Sequence, residues 1–336
     1  MATIGEVAQD AGVSVATVSR FLRGQSVRSD DAIRQAIQKL GYQPSPEARG
    51  LRSGVHYAIA VVVPDITNPF FADIVKGVES VFRKTPYRVF LHNTDEDGDL
   101  EEAVLQEIVK GVDGIILTPA TEPAKVPTYL KHIDVPVVLV DREIPGRDFD
   151  CVVTDNIKGA EMAVNYLVSL GHRKIATIRG TQATTPGHQR YQGFRDALRL
   201  ADISVPEEYV QDGNFRESGG YQAMLRLLSV ADAPTAVFSA NNLMTIGAFK
   251  ALHDMRVRVP ERLSLISFDD LEVGELLSPA LTCITRDDIK QGTLAAHMLV
   301  AQLEKREFGM ARRVMLDVQL VTRNSCAKPL PDPEFQ

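Results

Sequence analysis

Apolar positions recur along this chain in two rhythms, and the change between them falls near Tyr57. Before it, spacings of three and four residues mark short helices. Ile4, Val7, Ala8 and Ala11 form one apolar face, Thr3 stands where a hydroxyl can satisfy an orphan N–H, and Gly12 closes the helix cheaply through the left-handed region. Ser14 then offers a new cap for a helix over Val15 to Leu22, with Val18, Phe21 and Leu22 as its buried side. Ser29 can cap a third helix. Asp30 and Asp31 suit that helix's positive end, Ile33, Ala36, Ile37 and Leu40 give it an apolar stripe, and Gly41 stops it. The result is a three-helix domain of about forty-five residues, too small to hold the main core.

After Tyr57 the rhythm becomes apolar runs alternating with helical stretches. YAIAVVVP, YRVFLHN, VDGIILTP, VPVVLVD and FDCVVTD predict strands, separated by helices over 70–84, over 100–110 and around 126–132. A second series follows: helix 159–170, strand KIATIRG, helix 189–201, strand-like YVQDGNF, helix 219–228, strand TAVFSAN, helix 244–255 and strand LSLISFD. Near-continuous Val/Ile/Leu strands separated by helices predict parallel sheets covered on both faces. Two such sheets facing each other would present their carboxyl-terminal strand ends, where ligands bind in this architecture, to one shared cleft.

At 336 residues the chain exceeds one core, so two or three domains are expected. The net charge of −7 conceals an asymmetry. Residues 1–56 carry seven Arg/Lys against five acids, a balance of +2, which leaves −9 for the remainder. A weakly basic head on an acidic body fits a protein that reads specific DNA without coating it. Cys151, Cys283 and Cys326 show neither metal-ligand spacing nor an even-numbered framework, which points to a reducing, cytoplasmic home. No basic start precedes an apolar run and no stretch reaches about 18 apolar residues, so neither export nor membrane insertion is expected.

Two sets of residues carry candidate chemistry. On the second helix the face opposite the core is Val15, Ala16, Thr17, Ser19 and Arg20, small, hydroxylated or cationic, as a helix entering a major groove requires. In the body, unusual residues gather at strand ends: Asn68, Phe70 and Phe71 after the first strand, Asp141 and Arg142 after VVLV, Asn241 and Asn242 after VFSA, Asp269 and Asp270 after LISF. Arg190, Phe215 and Arg286 fall at other strand or loop ends. Flat aromatic faces with planar amide, carboxylate and guanidinium groups suit a sugar, although each residue alone has a structural reading as cap, core or solvated side chain. No GxxxxGK[ST] or GxGxxG loop follows a strand, and HExxH is absent. His172 reads as a residue after a helix end that meets orphan carbonyls. No nucleophile, base and orienter assemble, so neither an enzyme, a cofactor nor a metal is expected.

The strings ATIGEVAQDAGVSVATVSRFL and LGYQPSPEARGLRSG, and the pattern of the chain up to about Thr322, resemble the lactose/galactose repressor family of bacterial transcription regulators. The resemblance implies DNA contacts from Thr3, Ser14, Val15, Ala16, Thr17, Ser19 and Arg20. Gln43 to Gly54 reads on composition alone as a linker; the resemblance makes it a hinge helix in the minor groove, with Leu51 as wedge between Arg49 and Arg52. The segment from Arg23 to Asp31 is a couple of residues shorter than is usual, so phosphate contacts made there do not carry over. The body resembles the ribose-type periplasmic sugar-binding proteins, which implies effector contacts from Asn68, Phe70, Phe71, Asp141, Arg142, Arg190, Asn241 and Asp269, with Phe215 and Arg286 added from their positions. Asn242 stands where Asp is common and Arg286 where Gln is usual.

The expected organisation is a helix-turn-helix head over 1–44, a hinge over 45–56 and an α/β effector-binding and dimerisation domain over 57–326, followed by a tail over 327–336. That domain would comprise an N-subdomain (57–155 and 287–315) and a C-subdomain (156–286 and 316–326), each built on a doubly wound parallel sheet. The function implied is a cytoplasmic homodimeric repressor of carbohydrate-use genes, released from a palindromic operator by a pentose or hexose. The tail lacks a leucine heptad, so coiled-coil tetramers are not expected. Three guanidinium groups (Arg142, Arg190, Arg286) against two carboxylates (Asp141, Asp269) raise the alternative of an acidic or phosphorylated sugar, unless Arg286 folds back onto Asp287, Asp288 or Asp270. A stand-alone sugar-binding protein is the remaining rival, disfavoured by the N-terminal head.

Overall fold

The computed structural model describes residues 2–22, 25–42, 55–120, 130, 133–144, 149–305 and 310–330. The expectations for Arg23, for Arg49, Leu51 and Arg52 of the hinge, for the helix around 126–132 and for the end of the tail therefore lie outside the described residues. Contacts divide the chain into two units, residues 1–58 with 111–113, and the remainder.

In the first unit, α1 (Ile4–Asp10), α2 (Val15–Leu22) and α3 (Asp30–Leu40) close over Val7, Ala8, Val18, Ile33 and Ala36. Thr3 caps α1 in a reciprocal box: its hydroxyl oxygen accepts from the Glu6 N–H at 3.3 Å, and the Glu6 carboxylate accepts from the Thr3 N–H at 2.7 Å. Gly12 turns between α1 and α2 at φ +66°, and Ser14 Oγ accepts from the Thr17 N–H at 3.2 Å. Ser29 departs from expectation. It occupies the cap position of α3 without a side-chain cap bond, and the Asp30 carboxylate instead accepts from the Val27 N–H at 3.0 Å. Lys39 pairs with Asp10 at 2.6 Å, joining α3 to α1.

The second unit contains two six-stranded sheets. The first runs β11-β5-β4-β3-β1-β2, from β1 (Ala58–Val63), β2 (Arg88–Asn93), β3 (Gly114–Leu117), β4 (Val137–Val140), β5 (Asp150–Thr154) and β11 (Arg313–Leu316). The second runs β12-β10-β9-β8-β6-β7, from β6 (Ile175–Arg179), β7 (Val210–Asp212), β8 (Ala236–Ser239), β9 (Ser264–Phe268), β10 (Thr282–Thr285) and β12 (Gln319–Val321). Pairings β1 with β3, β3 with β4, β4 with β5 and β5 with β11 are parallel, as are β6 with β7, β6 with β8, β8 with β9 and β9 with β10. β12 pairs antiparallel with β10, which the expectation of wholly parallel sheets did not anticipate.

The helices are α4 (Pro69–Phe82), α5 (Gly98–Ile108), α6 (Asn156–Ser169), α7 (Thr185–Leu200), α8 (Glu217–Leu228), α9 (Asn242–Asp254) and α10 (Asp288–Lys305). α10 packs along α4 and on β3, β4 and β5, while α6 with α7 and α8 with α9 pack on the second sheet. Central strands are buried along their length, but β2 is not: Phe90 and Leu91 are 46% and 42% exposed, so this edge strand is uncovered where two covered faces were expected. His172 also departs from expectation. Its ring is buried and reaches Thr235 Oγ1 at 2.8 Å, Ser264 Oγ at 3.0 Å and the Ala327 carbonyl at 2.9 Å, so it ties the end of α6 to the residue before β8, the first residue of β9 and the C-terminal segment rather than to helix carbonyls.

α4 and α10 approach too closely for side chains at their crossing. A Cβ on Gly292 would lie 2.0 Å from the Ile74 carbonyl oxygen, and one on Gly77 2.2 Å from that of Ile289. Both obstacles are backbone, so relief requires the helices to separate. Gly292→Ala is expected to cost about 1–3 kcal/mol or more of unfolding free energy, read from denaturant unfolding; an unchanged midpoint would mean the helices part freely.

Candidate functional site

On the head, the side of α2 away from the core presents Val15, Ala16 and Arg20 exposed and Thr17 and Ser19 half-buried. Val18 on the opposite side is fully buried. Thr3 is already committed to its capping box, its hydroxyl donating to Glu6 at 3.0 Å.

In the second unit, the C-terminal strand ends surround one pocket, and the ten expected effector residues all line it. Local backbone explains why the carboxylates point there. Asp141 follows β4 at φ +65° and Asp269 follows β9 at φ +70°, left-handed conformations in which Asp and Asn are several-fold enriched. Asn214 at φ +52°, Phe215 at φ +59° and Glu96 at φ +60° bring to five the strained non-glycine residues around this one cavity. Such outliers concentrate at ligand sites because the surrounding structure must hold them. Asn68 caps α4, its Oδ1 accepting from the Phe70 N–H at 3.1 Å, and so delivers Phe70 and Phe71 with ring centroids 4.8 Å apart. Asn241 caps α9 at 2.8 Å and donates to the Phe215 carbonyl at 3.3 Å. Asn242 reaches the other sheet's Asn68 Oδ1 at 2.8 Å.

Three buried guanidinium groups organise the charge. Arg142 pairs bidentately with Glu96, at 2.6 Å for both bonds, and donates to the Pro119 carbonyl at 3.0 Å. Burial pulls its pKa down, but Glu96, with Asp141 and Glu101, raises it overall. Arg190 lies within α7, not at a strand or loop end as expected, because that helix, capped by Thr184, begins at Thr185, four residues before its expected start. It donates to Asn156 Oδ1 at 2.8 Å and the Ala240 carbonyl at 2.6 Å, stacks 3.6 Å above Phe268, and is lowered by burial to about 10.

Arg286 follows β10 and faces the pocket. Its Nε and Nη2 donate to Asp269 at 2.8 and 3.2 Å, and its Nη1 donates to Asp141 at 2.6 Å and Thr154 Oγ1 at 3.3 Å. The guanidinium sits 3.7 Å above the Phe70 ring, with Asp288 behind it at 3.3 Å. Asp270 is not its partner, being paired with Arg323 at 2.6 Å. The cavity left among these side chains measures about 30 Å³, room for a water or two.

Glu96 and Asp288 correct the expected charge excess. Against Arg142, Arg190 and Arg286 stand Glu96, Asp141, Asp269 and Asp288. Glu96 lies in the acidic run after β2, so the strand-end rule that found the other residues points to it as well. Among the described residues no group of His, Cys, Asp and Glu could hold a metal ion, and no helix is long and apolar enough to cross a membrane.

Residues 3–45 match the model of bacterial regulatory proteins of the lacI family, and residues 164–326 match that of the periplasmic binding protein-like domain. The ribose operon repressor of Halalkalibacterium halodurans is 33% identical over 329 residues, covering 97% of each chain. Among solved structures, the transcriptional regulator CelR–cellobiose complex aligns with TM-score 0.74 at 31% identity, over 97% of this chain and 100% of that one. A LacI family regulator from Enterococcus faecium with bound ribose aligns with TM-score 0.71 at 30% identity, over 81% of this chain and 99% of that one. A helix-turn-helix head, two strand-end-facing sheets and likeness at this identity over nearly the whole length have one reading: the chain belongs to the LacI family and is a DNA-binding transcriptional regulator.

Proposed function

We propose that this protein is a cytoplasmic homodimeric repressor of carbohydrate-use genes, released from a palindromic operator when a neutral sugar of five or six carbons binds between its two sheets. The observation that carries this reading is the pocket itself: aromatic faces beside carboxylates and guanidinium groups at facing strand ends, as a polyol with C–H faces and adjacent hydroxyls requires. The relatives named with ribose and cellobiose support the class. On the head, Val15, Ala16, Thr17, Ser19 and Arg20 of α2 would meet base edges and phosphates, and a dimer follows from one head reading one half-site.

Charge balance favours a neutral ligand over the acidic alternative. Burial raises the Asp288 carboxyl to about 7, against the pull of Arg286 and with the push of Asp269, Asp141 and Asp73. The three guanidinium groups are met by four acids, Glu96, Asp141, Asp269 and Asp288. No positive charge remains to recruit an anion.

Three expectations follow. D-ribose should bind the full chain in titration calorimetry, and Asp269→Asn should weaken it about tenfold or more, since hydrogen bonds to a charged acceptor contribute about 1.5–3 kcal/mol; equal affinity would remove Asp269 from the sugar site. With an operator selected from random duplexes, Arg20→Ala should relax discrimination at one base position by about 1–3 kcal/mol. A uniform loss across all sequences would instead make Arg20 a phosphate contact. The third concerns pH. The folded value of Asp288 lies above the unfolded one of about 4, so the native state holds an extra proton between the two, and stability falls as pH rises through that window. Asp288→Asn should raise the melting temperature by an amount that grows from pH 5 to pH 8; a constant offset would contradict it.

A further inference from the structure

The side chain in the middle of the pocket belongs to the protein. The Arg286 guanidinium covers the face of Phe70 at 3.7 Å, engages both oxygens of Asp269, and takes Oδ1 of Asp141. A sugar would use these same surfaces, the ring face for its C–H groups and the carboxylates for paired hydroxyls. The 30 Å³ that remain hold a water or two, whereas a pentose has ten heavy atoms. The bonds also join the two sheets: Asp269 follows β9 of one, while Asp141 and Thr154 belong to strand ends of the other. Arg286 and both carboxylates are at most 7% exposed at their side chains, so the bridge is shielded from water and salt.

We propose that Arg286 is a built-in occupant and latch of the cleft: it fills the carboxylate subsite, holds the two sheets together, and must leave Asp141 before a sugar can enter. It is therefore the residue that sets which ligands succeed, because a ligand has to supply enough new bonds to Asp141 and Asp269 to replace those of the guanidinium. A polyol with adjacent hydroxyls on both carboxylates can do so. A ligand with one hydroxyl in reach cannot.

Two readouts on the full chain test this. The first is hydrogen–deuterium exchange of the segment holding the Glu143 amide, which donates across the cleft to Thr185 Oγ1 at 3.0 Å. Arg286→Gln should speed its exchange at least severalfold by releasing the sheets. Arg286→Lys keeps the charge that balances the buried acids but lacks the fork that spans Asp269 and Asp141, so it should act in the same direction even if the glutamine variant folds poorly. Unchanged exchange in the lysine variant would overturn the latch. The second readout is D-ribose affinity by calorimetry, which rests on the sugar reading above. A tenfold or larger gain in Arg286→Gln or Arg286→Lys is expected, and a loss would make Arg286 a ligand donor and overturn the occupant role. Faster exchange with no ribose binding by any form would keep the latch and reject ribose as ligand.

Discussion

The interaction on which the body of this protein turns is the buried contact of Arg286 and Arg190 with Asp141, Asp269 and Asp288. Moving any of these charges out of water costs several kcal/mol, so each persists only because the others and fixed polar neighbours surround it. The fold meets that condition by geometry. Parallel strands joined by crossover helices put every carboxyl-terminal end on the same edge, so two such sheets bring residues distant in sequence to one place. Left-handed turns after β4 and β9 then aim the two carboxylates inward.

Much of this was legible from the chain because the physics is local. The head follows from apolar spacing and two glycine stops, and the central strands from runs such as AVVV and VVLV that only a sheet covered on both faces buries. The elements without a local signal are those near the end. β10, β11 and β12 are only three or four residues long, β11 alternates exposed with half-buried positions and β12 has no buried one, which leaves no apolar run to recognise. β2 was legible as a strand, but its exposure was not. Val89, Phe90 and Leu91 form an apolar run like those of the buried strands, yet it lies at the sheet edge where Phe90 and Leu91 stay in solvent; hydrophobicity does not report whether a neighbour exists.

The site divides along the same line. Residue types at strand ends can be listed from sequence, since position along a strand is a local property, and that list names side chains that do meet around one pocket. Partnerships cannot be listed, because they depend on which way each side chain turns. Counting Arg142, Arg190 and Arg286 against Asp141 and Asp269 gave an excess of cations only because Glu96, forty-six residues from Arg142, and Asp288, beside Arg286, were not in the sum. The inference about ligand charge changed sign with two carboxylates. Charge bookkeeping at a buried site is thus meaningful only once every counter-ion within bonding distance has been placed.

A cluster of this kind adds little net stability, since well-packed apolar residues in its place would avoid the desolvation cost. What it contributes is a sharp geometry. An apolar lining permits the two sheets to approach over a range of separations at similar energy, whereas a guanidinium held bidentately on one sheet's carboxylate and singly on the other's fixes the separation to within hydrogen-bond tolerance. A regulator depends on that sharpness. A ligand shifts an equilibrium only by the difference in its affinity for two states, and the difference is large only when the states are distinct. The stacking of Arg286 on Phe70 and of Arg190 on Phe268 adds to this, because planar groups pressed on rings lose little freedom when their hydrogen bonds form. A sharply defined separation of the two sheets is the condition under which a small ligand can favour one arrangement over another.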